Sequence, residues 1–136
     1  MRVLAIDYGD RRTGLAFSDE GGILCGEAFT VEDWDAERLA ERIASECRSR
    51  AVGKLILGLP KNMDGSEGPR AAKSREFSVL LGEKTGLPVE LWDERRSSVE
   101  AHNILRANGK REKKHKGAVD SLAAALILES YLGRSF

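Results

Sequence analysis

The sequence predicts an α/β domain built on a five-stranded mixed sheet, in which an antiparallel meander of three strands is followed by parallel strands and helices flank the sheet. Three apolar runs bounded by glycines follow one another in the first 31 residues, which is typical of hairpins. Two later apolar runs each follow a segment with helical periodicity, which is the order of β-α-β units. The chain has 136 residues, enough for one core, so residues 1–136 are interpreted as a single domain.

The first three strands are predicted at residues 3–8, 13–18 and 22–31. The charged turn GDRR, with Gly9 and Gly14 at its borders, separates the first two strands and indicates a β-hairpin. The third run, GILCGEAFTV, follows a Gly-Gly turn and extends the meander. Neither Cys25 in this run nor Cys47 has the spacing of a metal site, so we expect both thiols to be reduced and buried.

Two further strands are predicted, each after a helix. Asp35 is a suitable N-cap for the first helix, which is expected to end near Arg50. The run KLILGLP at 54–60 is continuously apolar, which is typical of a strand covered on both faces. The second helix is predicted to begin near Pro69 and to stop at Gly86, before the strand VELWD at 89–93.

Two more helices are predicted after the fifth strand. Ser97 and Glu100 form a capping box for one of them, which Gly109 closes. The other spans 118–132, and Asp120 lies beside its predicted apolar stripe. That stripe consists of Val119, Leu122, Ala123, Leu126 and Ile127.

The charges of the chain balance, with 22 Lys and Arg against 22 Asp and Glu. No global field attracts a polyanion, so binding of nucleic acid requires a local patch. The segment 106–116 supplies one, because six basic residues face only Glu112, and a solvated charged loop is the alternative interpretation. The candidate nucleic-acid-binding residues of this segment are Lys110, Arg111, Lys113, Lys114 and Lys116.

Further phosphate-binding candidates lie in two loops and one strand end. Arg11, Arg12 and Arg95 flank acidic positions, although each also fits a surface ion pair of little energetic weight. The loop KNMDGSEG is rich in glycine, so its amides and the helix start behind it are suited to holding a phosphate. The residues proposed for this phosphate loop are Asn62, Gly65, Ser66 and Gly68. A plain loop with an Asp-Gly turn explains the same pattern.

Acidic residues stand at three element ends. Asp7 ends the first strand, Asp93 and Glu94 follow the fifth, and Asp120 lies in the first turn of the last helix. With the first strand central and the fifth parallel to it, these side chains can converge at one edge of the sheet. Two charges about 4 Å apart repel by roughly 4 kcal/mol at an effective dielectric of 20, so a cation is expected there. Oxygen ligands without His or Cys favour Mg²⁺ or Mn²⁺, and one or two such ions would promote phosphodiester cleavage.

Each acid also has a structural explanation. Asp7 is placed to cap the turn that follows it, and Glu94 is placed to pair with Arg95 or Arg96 on the surface. Asp120 at a helix N-terminus is stabilised by the helix dipole whatever the function. Only the set of three acids together points to catalysis.

Four blocks of the sequence resemble the signature blocks of the YqgF/RuvX family. They are DYGDRRTGLAFSD, GLPKNMDGSEG with AAKSREFSVLL, LWDERRSSVEA and VDSLAAALILESYL, in the family's order and over nearly the whole chain. The resemblance implies an RNase H-like fold of the RuvC type and a metal-dependent nuclease, with Asp7, Glu94 and Asp120 as the metal-binding acids. Junction resolvases of the RuvC type place another acid three residues after the last one, where this chain has Ala123, so Asp93 is the candidate for an additional ligand.

The resemblance implies two substrates, the 5′ end of the 16S rRNA precursor, with a ribosome precursor as partner, and the Holliday junction. We favour RNA, because a resolvase needs a two-fold dimer and the charged outer faces of the helices predict a monomer or a weak homodimer. Interpretations of other classes are a ribosome-associated binding protein without catalysis and an actin-like sugar kinase, which would need two such domains. No apolar run reaches about 20 residues and no signal segment opens the chain, so no membrane partner and a cytoplasmic location are expected.

Overall fold

The structure, a computed structural model, describes the backbone of residues 1–96 and 116–133 and the side chains of residues 1–96 and 121–133. One sheet contains β1 (Arg2–Asp7), β2 (Arg12–Ser18), β3 (Cys25–Glu32), β4 (Val52–Leu59) and β5 (Val89–Asp93). The helices are α1 (Ala36–Ser49), α2 (Pro69–Thr85) and α3 (Lys116–Leu132), and a short 3₁₀ turn covers Glu94–Arg96. The helix predicted at 97–109 lies outside the described residues.

The strand order is β3-β2-β1-β4-β5, with β1 in the centre. The pairs β1–β2 and β2–β3 are antiparallel, whereas β4 runs parallel to β1 and β5 runs parallel to β4. The predicted α/β fold, a meander of three strands continued by parallel strands in one mixed sheet, is therefore confirmed. Within the described ranges, no helix is long and apolar enough to cross a bilayer.

Alternate residues of the strands enter two separate cores. On one face Leu4, Ile6 and Leu57 pack beneath α1 and α2, and on the other face Ala5 and Ile56 pack beneath α3. All five side chains are fully buried. The central strands are therefore covered on both faces, as the continuous apolar run of β4 predicts.

The helix ends follow the predicted signals. The Asp35 carboxylate accepts hydrogen bonds from the amides of Glu37 (3.0 Å) and Arg38 (3.3 Å) at the start of α1. This contact satisfies amides that the helix itself leaves without partners. Helix α2 has Pro69 in its first turn and ends at Gly86, whose φ of 68° is the left-handed conformation that glycine adopts readily.

The third strand begins at Cys25, later than the predicted residue 22. The Asp19 carboxylate accepts the amides of Ile23 (2.7 Å) and Leu24 (3.1 Å) and so holds the preceding residues in a turn. Both cysteines are free thiols, and Cys47 is buried as predicted. The prediction that Cys25 is buried is wrong, because this residue lies on an edge strand and is only half-buried.

The buried stripe of α3 also differs from the predicted one. Leu122 is exposed, and the buried residues are Ala124, Ile127, Leu128 and Tyr131. Because residues 122–128 are apolar on every side, periodicity does not identify the buried face. Asp120 lies near the start of α3, and its side chain lies outside the described residues.

Leu57 tests the core beneath α1 and α2. It is fully buried and lies beside Ile6 on one neighbouring strand and Leu91 on the other. We expect Leu57→Ala to lower the free energy of unfolding by about 2–5 kcal/mol, because it leaves a cavity between strands and helices. Urea denaturation measures the change. Val79→Ala on the exposed face of α2 is the control and should change stability by less than about 0.5 kcal/mol; equal losses would contradict this assignment of the core.

Candidate active site

Asp7 ends the central strand at the carboxyl edge of the sheet and is half-buried. Because Ile6 points into the core beneath α1 and α2, Asp7 belongs to the opposite face, which α3 covers. Gly14 lies opposite Asp7 on β2, and on β4 Gly58 follows Leu57, the residue that lies beside Ile6. Asp7 therefore stands between two glycines, in a gap that neither adjacent strand fills with a side chain.

The turn after β1 has its own hydrogen bonds. The amide of Gly9 donates to the hydroxyl of Thr13 (3.3 Å), and Arg70 of α2 donates to the carbonyl of Tyr8 (2.9 Å). The Tyr8 ring stacks on Phe77 with centroids 4.0 Å apart. These contacts fix the turn to α2.

Glu94 begins the 3₁₀ turn after β5 and is half-buried. Its Oε1 lies 2.5 Å from the position that a Cβ on Gly58 would occupy, and the Cδ1 of Ile127 lies 2.7 Å from the same position. The Glu94 side chain therefore extends from the end of β5 over Gly58 of β4, on the face covered by α3. Strand β4 is the immediate neighbour of β1, which ends at Asp7, and adjacent strands lie about 4.8 Å apart.

The two arginines after Glu94 have other principal partners. Arg95 binds both oxygens of Asp93, with Nε 3.0 Å and Nη2 2.7 Å from Oδ2. The Arg96 guanidinium lies 4.7 Å from the centroid of the Trp92 ring. These contacts disfavour the interpretation of Glu94 as one half of a surface ion pair with its neighbours.

Asp93 lies apart from the other acids. It follows Trp92, which packs in the core beneath α3, so strand alternation places Asp93 on the opposite face from Asp7. The hydrogen bond from Arg95 lowers the pKa of the Asp93 carboxyl below its usual value of 3.8. Arg95 Nη1 also donates to the carbonyl of Met63 (3.4 Å). The Asp93–Arg95 pair therefore connects the end of β5 to the loop after β4, and the structure does not bring Asp93 to the predicted metal site.

The predicted phosphate loop is folded on itself. The amide of Gly65 donates to the carbonyl of Asn62 (2.9 Å), and the amide of Asn62 donates to the carbonyl of Ser66 (2.9 Å). The amide of Ser66 donates to the carboxylate of Asp64 (2.9 Å). The loop therefore uses three of its amides internally, and Gly68, the N-cap of α2, leaves the helix start without a side-chain cap.

The structure describes only part of the predicted set of phosphate-binding cations. Arg11 is paired with Glu32, and Arg12 is half-buried at the start of β2 beside the turn that follows Asp7. Arg95 is held by Asp93. Lys110, Arg111, Lys113 and Lys114 lie outside the described residues, as does the side chain of Lys116, the first residue of α3.

The donor set fits a hard divalent cation. Asp7 and Glu94 supply carboxylate oxygens on one face, which suit Mg²⁺ or Mn²⁺ better than Zn²⁺. Asp120 belongs to α3 on the same face, but its side chain lies outside the described part of the chain. Among the side chains of residues 1–96 and 121–133, no three acids, histidines or cysteines are grouped so that they could hold a metal ion.

Sequence reasoning missed Gly58. The signal is present, because a glycine inside an otherwise apolar strand indicates a close approach by another group. The sequence does not identify that group. Only the register of β4 against β1 and β5 shows that the approaching group is the Glu94 carboxylate, next to Asp7.

The chain is similar to proteins of one family over nearly its whole length. Residues 1–134 match the family model of RuvX, described as "Holliday junction resolvase". Two relatives bear the name "Putative pre-16S rRNA nuclease". That of Halothermothrix orenii is 44% identical over 97% of this chain and 94% of its own, and that of Anaeromyxobacter dehalogenans strain 2CP-1 is 46% identical over 98% of both chains.

A solved structure has the same fold. The RuvC structure of Thermus thermophilus matches this one with a TM-score of 0.60 at 15% identity and covers 96% of this chain and 95% of that chain. At this level of identity the similarity shows the fold alone. The RNase H-like fold of the RuvC type, which the sequence resemblance implies, is therefore confirmed.

Replacing Arg95 tests its contact with Asp93. We expect Arg95→Ala to raise the pKa of Asp93 toward 3.8, because the hydrogen bond from Arg95 is the largest cause of the lowered pKa. Since the folded pKa lies below the unfolded one, the pair stabilises the protein above about pH 4, and the stabilisation is lost as pH falls through the folded pKa. Carbon NMR titration of Asp93 measures the pKa, with Arg96→Ala as the control. An Asp93 pKa that stays low in Arg95→Ala would show another cause.

Proposed function

The chain belongs to the RuvX Holliday junction resolvase family, and we propose that residues 1–136 form one metal-dependent nuclease domain whose active site is the carboxyl edge of the sheet. Nuclease activity, which is a hydrolase activity, follows from the family and from the nuclease names of the relatives. The same findings disfavour a sugar kinase and a binding protein without catalysis.

The observation that carries the proposal is the position of the Glu94 carboxylate above Gly58, on the strand next to the one that Asp7 ends. A glutamate that follows the edge strand β5 crosses an intervening strand and becomes half-buried beside the end of the central strand. Bringing two carboxylates together in this way costs free energy unless a cation neutralises them. Mg²⁺ or Mn²⁺, as one or two ions, is the proposed cofactor, and Asp120 is the proposed third ligand.

The mechanism assigns separate tasks to the residues of this edge. A bound metal ion would polarise the scissile phosphate and lower the pKa of an attacking water. Asp7, Glu94 and Asp120 would hold the ion and so position the phosphate. Arg11 in the turn after β1 and Arg12 at the start of β2 are placed to contact neighbouring phosphates of the strand.

Two elements border this edge and complete the proposed substrate site. Arg95, bound to Asp93, connects the loop at 61–68 to the end of β5. The β1–β2 turn and the end of β5 lie on opposite sides of β4 along this edge. The basic segment at 106–116 supplies a local excess of positive charge for the phosphate backbone. Contacts of this kind do not depend on base sequence.

RNA is the favoured substrate, specifically the precursor of 16S rRNA, with a ribosome precursor as the partner. The names of the relatives support this assignment. Cleavage of a branched DNA junction is the second candidate, because the family description names it. We propose a monomer or a weak homodimer, because hydrolysis of one RNA strand needs only one active site. The proposed location is the cytoplasm.

Replacing Asp7 tests the metal site. Asp7→Asn should lower cleavage by about 100-fold or more, since loss of one preorganised electrostatic partner has effects of this size. Wild-type protein should melt at a higher temperature in Mn²⁺, by the equivalent of about 2.7 kcal/mol when the ion is present at 100 times its Kd. Asp7→Asn and Glu94→Gln should lose this gain. Calorimetry with and without Mn²⁺ measures it.

Asp10→Asn is the matched control for Asp7→Asn. Asp10 is an exposed carboxylate on the adjacent turn, and it pairs with Arg70 (3.3 Å) and Lys73 (3.2 Å). Its replacement also removes one negative charge near the edge but no proposed ligand, so Mn²⁺ should still stabilise the variant. A wild-type protein that gains no stability from Mn²⁺ would remove the metal from the proposal.

A side-by-side assay separates the two substrates. In Mn²⁺, we expect cleavage of a precursor rRNA fragment to be faster than cleavage of a four-way DNA junction of equal concentration. Sedimentation at micromolar protein should give a monomer or a weak dimer, because a resolvase needs two active sites related by a two-fold axis. A stable dimer that nicks the junction symmetrically and spares the RNA would reverse the order of the two candidates.

A further inference from the structure

We infer that Gly58 is a positioning residue of the proposed active site, whose missing side chain leaves the space through which Glu94 reaches Asp7. The inference rests on the proposed function, because it names the residue that lets an acid from β5 act at the end of β1. Because β4 lies between β1 and β5, the Glu94 side chain has to extend over β4 toward Asp7. The residue of β4 that it passes must therefore leave space for it.

The geometry leaves no space for a methyl group at this position. A Cβ on Gly58 would lie 2.5 Å from Oε1 and 3.2 Å from Cδ of Glu94, and 2.7 Å from Cδ1 of Ile127. Real Cβ atoms essentially never show contacts below 3.0 Å. The closest atom is the carboxylate oxygen proposed to bind metal, so a side chain at residue 58 displaces the reacting end of Glu94 first.

Backbone conformation does not explain the glycine. Among the residues that the structure describes, the glycines with positive φ are Gly22, Gly65 and Gly86, and Gly58 is not one of them. It lies in regular strand geometry, paired beside Trp92 of β5. Glycine in the interior of a strand weakens it, because it orders more backbone and packs no side chain. The space that Gly58 leaves for Glu94 is the compensating advantage.

The displaced atoms are the ends of two flexible side chains, so we expect the fold to accept Gly58→Ala. Ile127 belongs to the core beneath α3, and its displacement would affect packing as well as the site. Ile127→Val removes Cδ1, the atom of Ile127 that meets the new Cβ, and so isolates the effect on Glu94. The informative comparison is therefore Gly58→Ala with Ile127→Val against Ile127→Val alone.

The first test is the affinity for Mn²⁺, measured by calorimetric titration. We expect the Gly58→Ala, Ile127→Val protein to bind Mn²⁺ about 10- to 100-fold more weakly than Ile127→Val, the range seen when the support of a metal ligand is removed. For cleavage, kcat should fall while KM for the nucleic acid stays the same, because the strand-binding contacts remain. Gly82→Ala in α2 is the control, since nothing lies within 4 Å of a Cβ there. Unchanged Mn²⁺ affinity in the double variant would overturn the inference.

A second test moves the carboxylate to β4. In a Glu94→Ala protein, we expect Gly58→Asp to restore the rise in melting temperature that Mn²⁺ causes, because its carboxyl group would occupy the space that the Glu94 carboxylate leaves. Gly58→Asn in the same background is the neutral control and should restore nothing. Equal behaviour of the Asp and Asn variants would show that residue 58 does not face the acidic site, and would also overturn the inference.

A third measurement is independent of both metal and cleavage. Without metal, Gly58→Ala should lower the melting temperature less in a Glu94→Ala background than in wild type, because the group it meets is gone. If Mn²⁺ does not stabilise the wild type, the proposed metal site fails, and this coupling alone decides the inference. Equal shifts in both backgrounds would then refute it.

Discussion

The parallel register between β1 and β4 is the constraint on which the candidate site depends. It places Ile6 beside Leu57 in one core, so the next residue of each strand, Asp7 and Gly58, belongs to the opposite face at the carboxyl edge. A slip of one residue would turn the acid toward α1 and α2 and remove it from Glu94. Apolar side chains buried on both faces of β1 and β4 hold this register. Packing in the core therefore fixes the positions of Asp7 and Gly58 at the sheet edge, and no single ion pair is needed for this.

The two faces of the sheet serve different purposes because their side chains differ in size. Large residues such as Leu4 and Phe17 separate the sheet from α1 and α2. The other face presents Ala5 and Ala16 to Ala124 of α3, and all three are fully buried. Small residues at these positions let α3 pack directly on the central strands. The candidate site belongs to this face, because Glu94 and Ile127 of α3 both lie next to Gly58.

Most of the fold follows from local signals in the sequence, whereas the site depends on pairings that those signals do not contain. Alternation, glycines and caps such as Asp35 predict the five strands and the described helix ends, because each signal acts within a few residues. Of the described residues of the predicted α3 stripe, only Ile127 is buried, because a run that is apolar on every side leaves its buried face to tertiary packing. The start of β3 is missed since the Asp19 carboxylate takes two amides that a strand would use. Asp7 and Glu94 are recognisable as acids at strand ends, but the sequence does not show that Gly58 connects them.

An acid that acts from an edge strand depends on the strand it crosses. Glu94 follows β5, and its carboxylate lies above β4, so its usefulness is a joint property of positions 58 and 94. Neither residue explains the arrangement alone. With a larger residue at position 58, the glutamate after β5 would have no space above β4, and without the glutamate, a glycine at position 58 would only weaken the strand. In the proposed site the second carboxylate lies above β4, in the space that Gly58 leaves open. Compatible acids and glycines must therefore be sought as pairs across strands, since the site is defined by position in the sheet and not by position in the sequence.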